Sequence, residues 1–444
     1  MHYGFRFRRY LTSFLSIIIA LTSLFTATFA QQLGRLEKEQ GMQILSNIKS
    51  VVQKNYYDPS FHGVNIEERF KIAETKIKQA SNQSAAFAAI AQALIDFNDS
   101  HTFFLPPSRA AKIEYGWQVG MVGDKAYVFA VKPKSDAEAK GLKVGDLVIS
   151  INGFKPSRPE MWKVNYYYYQ ISPRSTMSLV VQSPDGEPRE LEVVTKVIPL
   201  KRVMDLTDNM DLNELIRDSE NESRRNVHRF KKVGNVMIWQ MPNFAFDPVY
   251  IDSIVKDKLN GNGGIVLDLR GNPGGAVKTL ERLAGYFFEK EVKIADMKRR
   301  KETEVSKTIP HGTNTYSGQI VVLVDSRSAS ASEILARLLQ IEKRGYVIGD
   351  QSAGAVMQSR SFSLEIGTDR LIPYGVSVTD AEVIMTDGKS IEHVGVTPDE
   401  LLIPTAADMS KSRDVALARA IEKAGGGKIS PEDAGMFFPI EWDN

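Results

Sequence analysis

Helical spacing organises residues 35–97. Met42, Leu45, Ile48 and Val52 recur at intervals of three and four, which predicts a helix that Tyr57-Asp58-Pro59 interrupts. Asn65, with Glu68 three residues on, is a capping-box pattern ahead of Phe70, Ala73 and Ile77. Phe87, Ile90 and Leu94 mark a third helix. It closes in the polar run Asp96-Phe97-Asn98-Asp99-Ser100-His101, and Pro106-Pro107 keep it from resuming. Past residue 112 the pattern turns strand-like. Ala126–Val131, Leu147–Ile151 and Met177–Val181 read as strands, with turn signals at Asn152-Gly153 and Pro184-Asp185-Gly186.

Residues 200–232 are charged and irregular. Arg224, Arg225, Arg229, Lys231 and Lys232 lie close together, but acids are mixed through the stretch, so it reads as a solvated linker. From residue 234 apolar runs alternate with helical spacing. Strands are predicted at Val236–Met241, Ile265–Leu269, Ile320–Val324 and Tyr346–Ile348. Helices are predicted at Val249–Leu259, Val277–Phe288 and Ile334–Ile341. This alternation predicts an α/β core whose sheet is partly parallel. Residues 405–444 read as a helix followed by a glycine-rich tail.

The first thirty residues carry Arg6, Arg8 and Arg9, then an apolar run, then the small exit Thr28-Phe29-Ala30. That order describes a secretory signal peptide, and an uncleaved anchor is the alternative. The expected location is periplasmic or extracellular, with membrane contact only through that segment if it is kept. The chain of 444 residues has a formal charge of +2, which gives no reason to expect a nucleic-acid partner. It has no cysteine, which excludes disulfides, thiolate zinc sites and a cysteine nucleophile. No cluster of histidines and carboxylates has metal-ligand spacing, so no cofactor is expected.

Four segments could carry chemistry. Asp325-Ser326-Arg327-Ser328-Ala329-Ser330-Ala331-Ser332-Glu333 follows an apolar strand and opens a helix. A serine there can attack a carbonyl while free amides hold the developing oxyanion. Ser330 with Glu333 is equally a capping box. Asp268-Leu269-Arg270-Gly271-Asn272-Pro273-Gly274-Gly275 is a strand end and a glycine-rich turn. It suits either a second oxyanion donor or a plain tight turn, and it has neither phosphate-loop nor dinucleotide spacing. His101, beside Ser100 and Asp99, is a candidate base, and a structural histidine is the alternative. Glu392 is a candidate orienting carboxylate, with the adjacent His393 competing as base.

Two resemblances join these pieces. The stretch KSDAEAKGLKVGDLVISING resembles a PDZ domain, and Gly116, Trp117, Gln118, Val119 and Gly120 fall where such a domain carries its carboxylate-binding loop. FNDSHTF, GLKVGDLVISING, IVLDLRGNPGG, SASASEILARLL, GYVIGDQSAG and IEHVGVTPDE, in that order, resemble the tail-specific or C-terminal-processing serine peptidase family. One catalytic style of that family uses a Ser–Lys dyad, but Ala355 stands where its lysine would fall. The other resembles the tricorn protease branch, with a Ser-His pair and a Glu ahead of Gly-Val-x-Pro-Asp. Here these are Ser100-His101 and Glu392 before Gly395-Val396-Thr397-Pro398-Asp399.

The resemblance implies Ser330 as nucleophile, the middle serine of Ser-Ala-Ser-Ala-Ser. It implies His101 as base, supported through Ser100 by Glu392, and backbone N–H groups of Gly274 and Ala331 as the oxyanion hole. The expected organisation is a signal peptide (1–30), a helical region (31–110), a PDZ-like β-rich domain (111–200), an α/β serine peptidase core (201–404) and a C-terminal helix and tail (405–444). The expected function is a serine endopeptidase acting on peptides or proteins. A non-catalytic binding protein on the same fold is the alternative.

Overall fold

The structure, a computed structural model, describes residues 33–109, 111–184, 186–199, 227–367 and 371–442. The predicted signal peptide and most of the charged linker, with Arg224 and Arg225, lie outside the described residues. The architecture is mixed α/β with several sheets.

Three helices open the described chain: Arg35–Asn55, Ile66–Gln79 and Gln83–Ile95. Asn65 caps the second by accepting from Glu68 N–H, and Asn82 caps the third from Ala85 N–H. Their apolar faces meet in one core with Phe97 and Phe104. A five-stranded antiparallel sheet follows: Trp117–Val122, Lys125–Val131, Leu147–Ile151, Thr176–Gln182 and Arg189–Val194, paired in chain order. Short helices Asp136–Ala139 and Met161–Asn165 belong to this module, and the second runs on as a π-helical turn, Tyr166–Ile171.

The central sheet has six strands in the order Glu400–Leu401, Tyr346–Gly349, Gln319–Val324, Gly264–Asp268, Val236–Gln240, Arg229–Val233. All neighbours are parallel except the last pair. Alternate residues feed two cores. Ile265 and Leu267 pack against helices Val277–Gly285 and Ala331–Ile341, whereas Val266 faces Leu417 and Ile421. Burial on both faces explains the unbroken apolar runs of these strands.

Two parts of the chain differ from the sequence expectation. A second antiparallel sheet joins Phe103–Leu105, Ile372–Met385, Lys293–Arg299 and Thr303–Lys307, with Met357–Ile366 also on the long strand. The C-terminal stretch forms three short helices, Ala406–Ser410, Val415–Lys423 and Pro431–Gly435, and the latter two cover the second face of the central sheet. Among the described residues no helix is long and apolar enough to cross a membrane.

Candidate active site

The parallel pairing of Gly264–Asp268 with Gln319–Val324 sets their C-terminal ends side by side, with Asp268 opposite Leu323. The glycine-rich turn and the serine-rich loop therefore leave the sheet together. Ala329 N–H and Ser332 Oγ both donate to Asn272 O, at 2.9 and 3.0 Å. At Gly274 a Cβ would stand 2.7 Å from Ser330 Cβ and 2.8 Å from Ala331 N, so glycine lets the turn reach the loop.

The three serines of the loop have different fates. Ser328 and Ser332 are fully buried, and their hydroxyls are committed to Leu269 O and Asn272 O. Ser330 is partly exposed, and its hydroxyl has no hydrogen-bond partner among the described residues. At this N-cap position the hydroxyl makes no cap hydrogen bond: Glu333 N–H goes to the Ser330 carbonyl, and the Glu333 side chain closes the box from the other side through Ser330 N–H. The residue holds φ +56° and ψ −120°, a region that costs a non-glycine residue of order 1–3 kcal/mol.

That strained backbone is held from behind. Ser330 N–H donates to Ala355 O at 2.9 Å and to Glu333 Oε2 at 3.0 Å. The fully buried Glu333 carboxylate also accepts from Ser352 Oγ (2.5 Å), Gly354 N–H (2.7 Å) and Ala355 N–H (2.9 Å). Burial lifts its pKa to about 7, with these donors opposing the rise.

His101 leaves the turn after the third helix. Ser100 Oγ lies 2.7 Å from His101 Nδ1 and donates to Glu392 Oε2 at 3.0 Å. Because the hydroxyl proton goes to the carboxylate, Ser100 Oγ accepts from Nδ1–H. Nε2 is then the unprotonated nitrogen, and it has no hydrogen-bond partner among the described residues. Glu392 is also fixed by Ser100 N–H (2.9 Å) and Val356 N–H (2.6 Å). Burial pulls the His101 imidazole below its ordinary value, opposed by Glu392 first and Asp99 next.

A single peptide unit ties the two halves. The carbonyl of Ala355 accepts from Ser330 N–H while the N–H of Val356 donates to Glu392. The candidate nucleophile and the candidate orienting carboxylate thus share one wall. Among the described residues neither Ser330 Oγ nor His101 Nε2 has a hydrogen-bond partner, and they are not bonded to each other.

The remaining sequence candidates fall as follows. Ala331 N–H has no acceptor among the described residues, as the open end of a helix requires. Gly274 N–H donates to Asn272 Oδ1 at 2.9 Å, and Gly275 N–H is the unpaired amide of that turn. His393 is half exposed and its Nε2 donates to Asn98 O at 2.8 Å, so that nitrogen is already engaged. Gly116 has φ +74° and precedes the buried Trp117. Gln118 and Val119 line an open cavity of about 480 Å3 with Phe129, Tyr166, Tyr169 and Arg327. Gly120 packs between Phe129 and Arg327.

The antiparallel module meets the serine-rich loop directly. Ser326 Oγ donates to Met121 O at 2.5 Å, and the Arg327 guanidinium sits 4.2 Å over the Phe129 ring. Arg158 bonds Asp350 at 2.6 Å and the Gln351 carbonyl at 2.8 Å. Sequence reasoning missed these anchors, along with the supporting roles of Asn272, Thr379 and the Ala355–Val356 peptide. Only Glu333 had carried a signal, as the partner of Ser330 in a capping box.

Residues 232–402 match the model of peptidase family S41. A carboxyl-terminal-processing protease from a Picosynechococcus species is 26% identical over 372 residues, 79% of this chain and 80% of that protein. A chloroplastic C-terminal processing peptidase from Tetradesmus obliquus is 26% identical over 374 residues, 80% of this chain and 75% of that protein. Among solved structures, mature CPAF aligns with a TM-score of 0.61 at 15% identity, over 84% of this chain and 94% of that one. Its complex with lactacystin gives 0.60 at 16%, over 84% and 95%. These structural likenesses extend the shared fold well beyond the matched core.

Proposed function

We infer that this chain, a serine-type peptidase with a core of the S41 kind, is an endopeptidase that uses Ser330 as nucleophile and His101 as base. The observation that carries the reading is the hydrogen-bond chain His101 Nδ1–Ser100 Oγ–Glu392, which leaves Nε2 open while Ser330 alone of its three serines keeps a free hydroxyl. The relay supports the tricorn-like catalytic style. So does Ala355, whose methyl side chain cannot take a proton where the other style would place a lysine.

Ser330 Oγ attacks the scissile carbonyl carbon and gives its proton to His101 Nε2. The imidazolium is stabilised through Ser100 by Glu392. The tetrahedral oxyanion is held by Ala331 N–H and by Gly274 N–H, which divides its donation between the oxyanion and Asn272 Oδ1. Removing one such donor typically costs about 3–4 kcal/mol of transition-state stabilisation. His101 then protonates the leaving amine. Water, losing a proton to the same nitrogen, releases the acyl group and regenerates Ser330.

The antiparallel module acts as a PDZ domain that seats the substrate's C-terminus. Its strand Trp117–Val122 and helix Met161–Asn165 border the 480 Å3 cavity, which reaches Arg327, three residues before Ser330. The enzyme works on exported polypeptides, consistent with the N-terminal segment. A peptide substrate whose C-terminal carboxylate is converted to an amide is expected to lose about tenfold in kcat/KM, since a charge-assisted hydrogen bond is worth about 1.5–3 kcal/mol. Equal turnover of the acid and the amide would remove the terminus from recognition.

A further inference from the structure

The turn that carries His101 is built around a carboxylate that the acyl-transfer scheme leaves unused. Asp99 is 2% exposed. Its Oδ1 accepts from His101 N–H (2.9 Å), Thr102 N–H (2.7 Å) and Thr379 Oγ1 (2.7 Å). Thr102 Oγ1 in turn accepts from Thr379 N–H at 3.0 Å, so the turn is pinned to the long strand Ile372–Met385. Asp99 Oδ2 is buried and faces the fully buried Tyr56 hydroxyl, whose proton the Asp99 charge helps to hold.

This division of labour is informative. One oxygen makes every structural bond, and the amide oxygen of an asparagine would make them equally well. The second oxygen faces the Tyr56 hydroxyl, makes none of the bonds that pin the turn, and adds negative charge in a buried position where a charge is costly. The charge, not the turn, is therefore what distinguishes aspartate here.

We propose that Asp99 is a positioning residue for His101, fixing the backbone from which the imidazole projects and adding to Glu392 a second negative charge that stabilises the imidazolium formed during acyl transfer. The proposal rests on His101 being the base. The charged and titratable groups around the turn are Tyr56, Tyr57, Asp58 and His62 after the first helix, the Arg69–Asp96 pair, and Arg300 against the Tyr56 carbonyl. Glu382 on the long strand and Glu392 with His393 complete the set. Of these, Glu392 and Asp99 are the groups that raise the affinity of His101 for its proton.

Asp99→Asn keeps Oδ1 and removes the charge. Loss of a neighbouring negative charge lowers the affinity of an imidazole for its proton, so the acid limb of kcat/KM should move to lower pH by about 0.5 unit or more. Thr379→Val removes one bond to Oδ1 and leaves the charge. It should lower kcat about threefold or more at unchanged KM, with the acid limb in place. An Asp99→Asn enzyme with a wild-type acid limb, or a Thr379→Val enzyme whose limb moves as far as that of Asp99→Asn, overturns the proposal. Should Asp99→Asn not fold, Thr379→Val decides alone, and an unchanged kcat refutes it. His101→Ala separates the two readings. If it keeps wild-type activity and pH dependence, the base lies elsewhere. If it is inactive while Asp99→Asn titrates like wild type, only the role of Asp99 falls.

Discussion

Ser330→Ala is expected to abolish peptide hydrolysis, with kcat falling by about 10⁴- to 10⁶-fold, the range seen when a triad nucleophile is removed. The expectation is large because the structure leaves no substitute. Ser328 and Ser332, the neighbouring hydroxyls, are fully buried and bonded to backbone carbonyls on the far side of the loop. The variant should fold. Ser330 Oγ makes no hydrogen bond among the described residues, and the bonds that hold the residue, Ser330 N–H to Ala355 O and to Glu333, come from its backbone. A thermal melt within a few degrees of wild type, beside a lost turnover, is the expected pair of results. Substantial residual turnover would move the nucleophile elsewhere.

His101→Ala is expected to cost about 10⁴-fold in kcat/KM and to erase the acid limb of the wild-type profile. The direction of that limb follows from the site. The base must be neutral to accept the Ser330 proton, and burial depresses its pKa. Activity should therefore persist down to the ordinary histidine value of about 6.5 and fall only at lower pH. A wild-type enzyme that loses activity above this value, or a His101→Ala enzyme that keeps the limb, would contradict the assignment. Glu392→Gln should be milder than either, because the remaining amide oxygen still accepts from one of Ser100 N–H and Val356 N–H, which bond different carboxylate oxygens, while the charge is lost.

Much of the central sheet was legible because its strands are buried on both faces. Gly264–Asp268 and Gln319–Val324 read as continuous apolar runs followed by chemistry-bearing loops. The second sheet was hidden for a different reason. Ile372–Met385 is buried over most of its length yet carries Gly375, Ser377, Thr379 and Asp380; Ser377 bonds Ser359, Asp380 pairs with Arg299 and Arg360, and Thr379 bonds the His101 turn. Its partner Met357–Ile366 alternates with polar and charged residues on an open face. Neither shows the apolar signature of a strand. At the C-terminus, Gly425, Gly426 and Gly427 suggested a tail, but Ser430 caps a further helix that Pro431 begins, and Ala434 packs against the sheet.

The site divides along the same line. Ser330, His101, Ser100 and Glu392 stood out because their residue types carry chemistry and their segments resemble a known family. Asp99 stood beside His101 in the same motif but, like Thr379, had no role assigned, since its burial and its bonds to the turn are properties of the folded chain. The double use of the Ala355–Val356 peptide has no side-chain signature at all. Gly274 shows the limit of motif reading. The close approach to Ser330 explains the glycine, but its amide already has an acceptor in Asn272.

The most direct test of the nucleophile–base pairing is the position and dependence of a covalent adduct. The full chain would be treated with a serine-directed phosphonate and mapped by peptide mass spectrometry, beside His101→Ala treated in the same way. The account predicts one adduct, on Ser330, whose rate of formation collapses in His101→Ala. An adduct on another serine, or undiminished labelling of Ser330 without the imidazole, would contradict it.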